Sequence, residues 1–594
     1  MMKQARQPLP RKGLSAAYAS VALIACFAAH AACTPERKPP ENPADLILTH
    51  GRVYTFAWDD PAPDGTPAAN APHDESGWQP GAEAVAVKAG RILHVGTNEE
   101  VDAFRIESTR AIDLQGATVL PGLVDSHTHI AQLGAILEQV PLFDVATEEA
   151  MVERVAARAA GVPEDQWILG YGWDEGAWAD DYPTMGILSA SVPNHPVYLR
   201  SLHGLAAWGN RLAFQQAGIT RDTESPDGGE ILKDINGNPT GVLLNSATAL
   251  LEDALPAPGP TRLETQILAG LEEMATSGFV MVHEAGADSA TTAAYENLAN
   301  RYQLPLRVSL MLSGRDEELL RVWLERGPDT LGGEKLFVRS VKGYYDGALG
   351  SRGARLLEGY SDRPGRFGVA GAEYGFDETL LATMMRGGFQ LAVHAIGDAG
   401  NCETLNFLQW ALEATPTADV LRHRIEHAQV IQPEDFARFA ELGITASVQP
   451  SHAVEDMAWA EDRLGARIEG AYAWRTLRLA GVPLILSSDL PGSKHSIFYG
   501  LHAAITRRDE NLQPPGGWYP DERLTPEEAI RGYTIWPARA SLLELTSGAL
   551  ISGAWADITV MDIDPLVVGS TEPEKLLEGR ILLTVVGGQV AYMR

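Results

Sequence analysis

Apolar and polar residues alternate with period two at both ends of the chain, and follow a longer strand–helix rhythm between them. Near the start, ADLILTHGRVYT (from Ala44) and AEAVAVKAGRILHVGT (Ala82 to Thr97) are short alternating runs, the second folded about an Ala89-Gly90 turn. STRAIDLQGATVLPG supplies a further strand pair. Such alternation places successive side chains on opposite faces of a half-buried strand. Residues 45–118 therefore read as short, mostly antiparallel strands. Trp58 to Gly81, rich in Pro, Ala, Asp and Gly, reads as a long surface loop. GALISGAWADITVMDIDP (Gly548 to Pro565) and ILLTVVGGQVAYMR (Ile581 to Arg594) repeat the texture at the far end. Neither terminal piece has enough apolar surface to stand alone. Together, residues 45–118 and 546–594 predict one composite β-sandwich.

Between them lie eight apolar strands that end in polar residues, at 117–129, 278–286, 306–314, 336–347, 389–398, 421–429, 444–452 and 482–492. Helical segments such as EDFARFAELG and YAWRTLRLAG separate most of them. This alternation implies parallel strands, and eight units predict an α/β fold, a closed (β/α)8 TIM-like barrel. Its first strand region spans 119–139 and the remainder 261–545. Residues 140–260 break the rhythm with several Trp, the turns DGGE and NGNP, and one apolar strand, PVYLRS. They read as an insertion after barrel strand 1. Thr525 and Glu528, with Pro526 between them, form a capping box that starts a late barrel helix.

A length of 594 residues suits one large barrel with additions. With 47 Lys and Arg against 78 Asp and Glu, the formal charge is −31. That excludes nucleic acid as a partner, since phosphate binding needs basic surface, and argues against a polybasic grip on anionic lipid. Three Cys cannot build a disulfide scaffold, and no disulfide is expected. The amino end is a separate object. Lys3, Arg6, Arg11 and Lys12 precede the apolar run Leu14 to Cys33, the pattern of an export signal over residues 1–33. A proline-rich linker follows at 34–44. Leu23-Ile24-Ala25-Cys26 resembles a lipobox, which would leave a lipidated Cys26. Cys33, or ordinary cleavage after Ala31, are the alternatives. The expected location is the bacterial periplasm, or the cell envelope by a lipid anchor.

The candidate chemistry sits at strand ends. His127 and His129 form an HxH pair, and residues two apart in an extended segment point the same way. Lys342 closes FVRSV, His394 ends QLAV, His427 ends RIE, and Asp489 follows VPLILSS. Taken singly, these are more often a structural His, a solvated Lys or a loop cap. Together they occupy the ends of strands 1, 4, 5, 6 and 8, which barrel closure brings to one mouth. Four imidazoles and a carboxylate suit zinc or a similar divalent ion, one or two in number. Such an ion makes hydroxide from water at neutral pH, with Asp489 as the catalytic group that moves the proton. His283, Asp346 and Arg352, just past strand ends, are substrate-binding candidates. Asp398, four residues after His394, could orient a ligand imidazole; for each of these four residues a structural, salt-bridging or turn-capping role is the alternative. Trp167, Trp173, Trp178 and Trp208 either line an apolar pocket or belong to the core.

PGLVDSHTH, the strand-end Lys, the two later His and the strand-eight Asp resemble the amidohydrolase superfamily. VKGYYDGALGSRGA, VHAIGD, RIEHAQ and SSDLPG, with GYGWDEGAW and SPDGGEILKDINGNPTGVL in the insertion, resemble the branch that includes N-substituted formamide deformylase. The resemblance runs from about Ala44 to the end of the chain. It implies the barrel with a β-sandwich and metal-dependent hydrolysis of a non-peptide C–N bond in a small molecule. It also implies a Lys342 carboxylated by CO2 and bridging two ions; a plain lysine beside one ion is the alternative. Two positions depart from the branch. Leu205 stands where a His is usual, with His203 two residues before it, and Asn245 stands where an acid is common. Ester or lactone hydrolysis on the same site, and a non-catalytic envelope binding or regulatory protein, are the competing functions. A homo-oligomer is compatible with the sequence.

Overall fold

The computed structural model describes residues 41–143, 145, 147–173, 182–201, 206–226 and 229–594. The export signal at 1–33, most of the linker, Trp178, His203 and Leu205 lie outside the described residues, as do parts of the motifs around 174–181 and 227–228.

Eight parallel strands follow one another around a barrel. They are β1 (Leu123–Thr128), β2 (Phe279–Ala287), β3 (Arg307–Ser313), β4 (Leu336–Tyr344), β5 (Gln390–Ala395), β6 (Arg424–His427), β7 (Thr445–Val448) and β8 (Leu484–Leu486). Their residues are almost all buried, because helices cover the outer face and side chains fill the inner one. β8 is short, and the seam to β1 closes just beyond it. The Asp489 N–H donates to the His127 carbonyl and the His129 N–H to the Leu490 carbonyl, each at 3.0 Å. Buried Asp125 reinforces the seam by accepting from the Ser488 N–H at 3.1 Å and its hydroxyl at 2.6 Å.

The sandwich uses both chain ends. One sheet runs Arg91–Gly96, Ala84–Lys88, Leu46–Thr49, Arg110–Asp113. The other runs Arg52–Val53, Thr118–Pro121, Ile558–Met561, Ile581–Val586, Gln589–Met593. Leu48, Val85, Val119, Ile558 and Val585 share one apolar core between the two sheets. Not every pairing is antiparallel. Leu46–Thr49 pairs in parallel with Arg110–Asp113, because the helix Asn98–Asp102, started by a Thr97–Glu100 capping box, carries the chain back between them.

The segment 58–81 is not a free surface loop. Trp58 and Trp78 are buried, and the Trp58 indole N–H donates to Glu527 at 2.7 Å. Asp60 accepts from Arg531 at 2.7 Å. Indole burial straps this stretch to the helices Pro526–Gly532 and Ile535–Ala540. The insertion likewise holds more order than its sequence pattern shows. Six strands form one sheet: Val140–Pro141, Ile168–Trp173, Val197–Ser201, Ala206–Gly209, Pro239–Asn245, Gly229–Lys233. Trp173 and Trp208 are fully buried in its core, and Trp167 packs against a neighbouring cluster.

After the insertion, helix Pro260–Thr276 crosses helix Ile130–Leu137 at two glycines. A Cβ on Gly134 would lie 1.8 Å from the Gln266 carbonyl, and one on Gly270 2.6 Å from that of Ile130. The approach is open to glycine alone, and it fixes the helix that begins right after His129.

Barrel and sandwich are joined by a buried ion pair. Arg307, at the start of β3, donates to Asp557 at 2.7 and 3.1 Å and lies 3.8 Å over the Trp555 ring. Replacing Arg307 with Met strands a buried carboxylate and should lower stability by about 3–5 kcal/mol. The double replacement Arg307→Met with Asp557→Leu should recover most of that loss, because no charge is left unpaired. Urea midpoints of the three proteins check this, and a single variant within about 1 kcal/mol of the parent would refute the coupling.

Candidate metal centre

The strand ends deliver their side chains to one cavity of about 390 Å3. His127, His129, Lys342, His394, His427 and Asp489 all line it, together with Tyr344, His452, Glu455 and Trp459. His127 lies within β1, and His129 is the residue from which the next helix starts. That helix has no cap from His129 itself. Buried Glu284, near the end of β2, accepts the Ile130 N–H at 2.7 Å instead. The Thr128 hydroxyl donates to the His283 carbonyl at 2.9 Å. These bonds hold the backbone on either side of His129.

The donor atoms of His127, His129 and Asp489 lie within 4.8 Å of one another, as do those of His427, His452 and Asp489. Asp489 divides its oxygens between the two groups. Oδ1 is 3.3 Å from His129 and 3.6 Å from His127, whereas Oδ2 is 3.8 Å from both His427 and His452. The Lys342 amine is 3.0 Å from His127 Nε2. His394 stands apart from both groups. Its ring is 4.5 Å from that of His427, but its Nε2 is 3.6 Å from Asp346 and has no hydrogen-bond partner among the described residues.

Protonation favours a cation at this mouth. Burial, reinforced by Lys342, pulls the His127 imidazole down to about 4 and that of His394 to about 3. Burial and the neighbouring His394 hold His427 well below the usual range. These rings are neutral at pH 7 and keep their lone pairs. Burial opposes charge on Asp489, but His127, His129 and the other imidazoles outweigh it and keep the carboxyl ionised. Burial also draws Lys342 down to about 8. The neutral rings of His127, His394 and His427 beside the Asp489 carboxylate fit a divalent ion, whereas Lys342 still carries its proton at pH 7.

A buried layer beneath orients the rings. The His127 Nδ1–H donates to Glu426 at 2.6 Å, which turns the Nε2 lone pair to the cavity side, where it meets the Lys342 amine. Arg424 donates to both oxygens of Glu426, at 2.7 and 3.0 Å. Burial works against the Glu426 charge, yet Arg424 and His127 hold its carboxyl well below the usual range. The His427 Nδ1–H donates to Gln449 at 2.9 Å, and the Gln449 amide donates to Ser487, also at 2.9 Å.

Several residues that the sequence suggests for substrate lie elsewhere. His283 is buried beneath the site, between Arg424 at 2.9 Å and Ser541 at 3.1 Å. Asp346 is fully buried, and its oxygens accept the backbone N–H groups of Arg355, Ile396 and Gly397. It ties the loop after β4 to the end of β5. Arg352 pairs with Asp362 at 3.1 Å. None of the three lines the cavity. Asp398 accepts from Leu357 and Ala399 rather than from a ligand imidazole. Sequence reasoning passes over Arg424, Glu426, Gln449 and His452. The period-two spacing of Arg424 and Glu426 in RIEH is a usable signal for two of them.

A parallel barrel with this ligand-rich mouth is the framework of a metal-dependent hydrolase. The chain belongs to the amidohydrolase family, whose model matches residues 110–592. Protein YtcJ of Bacillus subtilis (strain 168) is 32% identical over 523 residues, covering 86% of this chain and 96% of that one. N-substituted formamide deformylase of Arthrobacter pascens is 27% identical over 540 residues, covering 86% and 95%. Among solved structures, an uncharacterized metal-dependent hydrolase from Pyrococcus furiosus aligns with a TM-score of 0.69 at 26% identity, over 88% of this chain and 99% of that one.

The Gln449 contact gives a direct test of ligand orientation. Gln449→Leu keeps the fold but frees the His427 ring, so the metal dissociation constant should rise about 10–100-fold. Competition with a chromogenic chelator measures it. Unchanged affinity would mean that His427 is not held for a metal through this bond.

Proposed function

We propose that the protein hydrolyses a non-peptide C–N bond in a small amide, formamide or cyclic amide. One observation carries the reading: the Asp489 carboxylate stands among the imidazoles of His127, His129, His427 and His452 in a small-molecule cavity. His127, His129, Lys342, His394, His427 and Asp489 would hold one or two divalent ions, zinc being the expected metal, and a bound ion would supply acidified water and polarisation of a carbonyl. Asp489 is ionised and so can accept the proton of the attacking water, then return it to the leaving nitrogen. Lys342 suits a cation site only without its positive charge. Its neutral amine can add CO2, forming an N–C bond and releasing one proton to leave an anionic carbamate. Tyr344, Leu349 and Ile396 supply apolar cavity wall, which orders substrate and keeps water out. The similarity to N-substituted formamide deformylase over most of both chains supports a C–N bond as the target.

A hydrolysis screen of metal-loaded protein with N-formyl and N-acyl amines, beside matched esters and lactones, tests the bond type. Amine release that a chelator abolishes is expected; turnover confined to esters and lactones would overturn the reading.

Asp489→Asn separates proton transfer from metal binding. Asn keeps the size and one acceptor oxygen but takes no proton, so kcat should fall by roughly 10²–10⁴. The imidazoles should still retain metal, and KM should change less than kcat. A metal-loaded variant with near-parental kcat would remove Asp489 from the reaction.

A further inference from the structure

The active cavity has a neighbour. A second cavity of about 350 Å3 is lined by Met457, Ala458, Trp459, Glu461, Asp462, Gln513, Pro514 and Trp518. Trp459 lines both cavities, and the chain passes from one to the other between Asp456 and Met457. The indole edge of Trp459 faces the active side, where a Cβ on Gly350 would lie 3.5 Å from it. The Arg463 guanidinium covers its ring at 4.4 Å. Arg463 is itself held by the carbonyls of Leu349 and Gly350, so the Trp459 ring is held in place at the boundary that the two cavities share.

The two linings share a chemistry. Met457, Pro514, Trp459 and Trp518 give the second cavity an apolar and aromatic body, suited to a hydrocarbon or ring. Its charged residues are Glu461, which accepts the Trp518 indole N–H at 3.0 Å, and Asp462. On the active side, Glu455 and Asp456 stand one helical turn beyond His452 and line the wall leading to Trp459. Lys342, already within the ligand cluster, is the one lysine or arginine among the lining residues described for the two cavities. An anion at this boundary would meet carboxylates, and the nearby guanidinium of Arg463 is already engaged by the carbonyls of Leu349 and Gly350 and by Asp362.

We infer that the second cavity is a subsite for the substituent on the substrate's nitrogen, and that it accepts an apolar or aromatic group with neutral or positive charge and rejects a carboxylate. This rests on the C–N reading above, with the scissile bond at the metal-ligand cluster and the amine side directed past Trp459. The amine product would then span both cavities.

Product-like amines test the inference without a known substrate. Metal-loaded protein is titrated by calorimetry with propylamine, octylamine, 1,8-diaminooctane and 8-aminooctanoate. Octylamine should bind at least about tenfold more tightly than propylamine, roughly the worth of two buried methylenes. 1,8-Diaminooctane should bind at least about tenfold more tightly than 8-aminooctanoate, in which a carboxylate replaces the distal aminomethyl group. Ala458→Trp places an indole in the lining of the second cavity. It should remove the octylamine advantage and leave propylamine binding and metal content unchanged. Equal affinities for propylamine and octylamine, equal affinities for the two bifunctional chains, or an Ala458→Trp variant that still prefers octylamine would each overturn the subsite. Failure of the C–N reading would show separately, as no amine release in the hydrolysis screen while this pattern of amine binding persists.

Discussion

Two backbone hydrogen bonds, from Asp489 to the His127 carbonyl and from His129 to the Leu490 carbonyl, close the barrel seam at 3.0 Å each. They join strands whose residues are more than 350 positions apart, and they do so at His127, His129 and Asp489, whose side chains form one candidate ligand group. Strand β8 ends at Leu486, so regular sheet pairing stops before the carboxylate is reached. The seam beyond it depends on these two bonds and on Asp125, whose carboxylate holds Ser488 from below. Closure and assembly of the centre are thus one event: a barrel left open at this edge would separate Asp489 from His127 and His129.

Inside the closed barrel, the neutral imidazoles needed for cation binding are compatible with burial. The charges that orient them are not. Arg424 and Glu426 lie at 1% and 0% side-chain exposure, where an unpaired charge would cost several kcal/mol. Their bidentate contact offsets that cost, and each has further partners. Arg424 reaches His283, the Ser126 carbonyl and Ser447, while Glu426 accepts from His127. Residues that the sequence places at the mouth, such as His283, are consumed in this buried layer. Position at a strand end therefore does not by itself assign a side chain to substrate, because the inner face of the barrel contains both a floor that orients ligands and a surface that meets solvent.

The parts of this architecture legible in the sequence are those with strong local signals. Parallel strands buried on both faces are uninterrupted apolar runs, so an imidazole, amine or carboxylate at the end of one stands out. That is why His127, His129, Lys342, His394, His427 and Asp489 stand out as candidates, all six of which line one cavity. The insertion sheet is harder to read. Ile168–Trp173 contains Gly170 and Gly172, which interrupt the alternation although the strand is paired in the fold. The strap at 58–81 is hidden by its Pro and Gly content, since its anchors, Glu527 and Arg531, lie hundreds of residues away. His452 follows a four-residue strand and sits in a short helix, so no periodicity marks it as facing the ligands.

Backbone conformation shows where the fold yields to the centre. His427, Ala428 and Asp489 adopt φ values of 73°, 42° and 58°, in a region that costs residues with side chains roughly 1–3 kcal/mol each. Glycine would relieve that strain but could supply neither imidazole nor carboxylate. The left-handed turn at His427 ends β6 where its ring must meet those of His127 and His394, at 4.9 and 4.5 Å. The turn at Asp489 points a carboxylate inward from a strand already finished. The surrounding bonds make these conformations tenable: Gln449 holds the His427 ring, and the His127 carbonyl holds the Asp489 N–H. Strain at His427 and Asp489, two candidate ligand positions, is thus supported by bonds from the barrel wall around them.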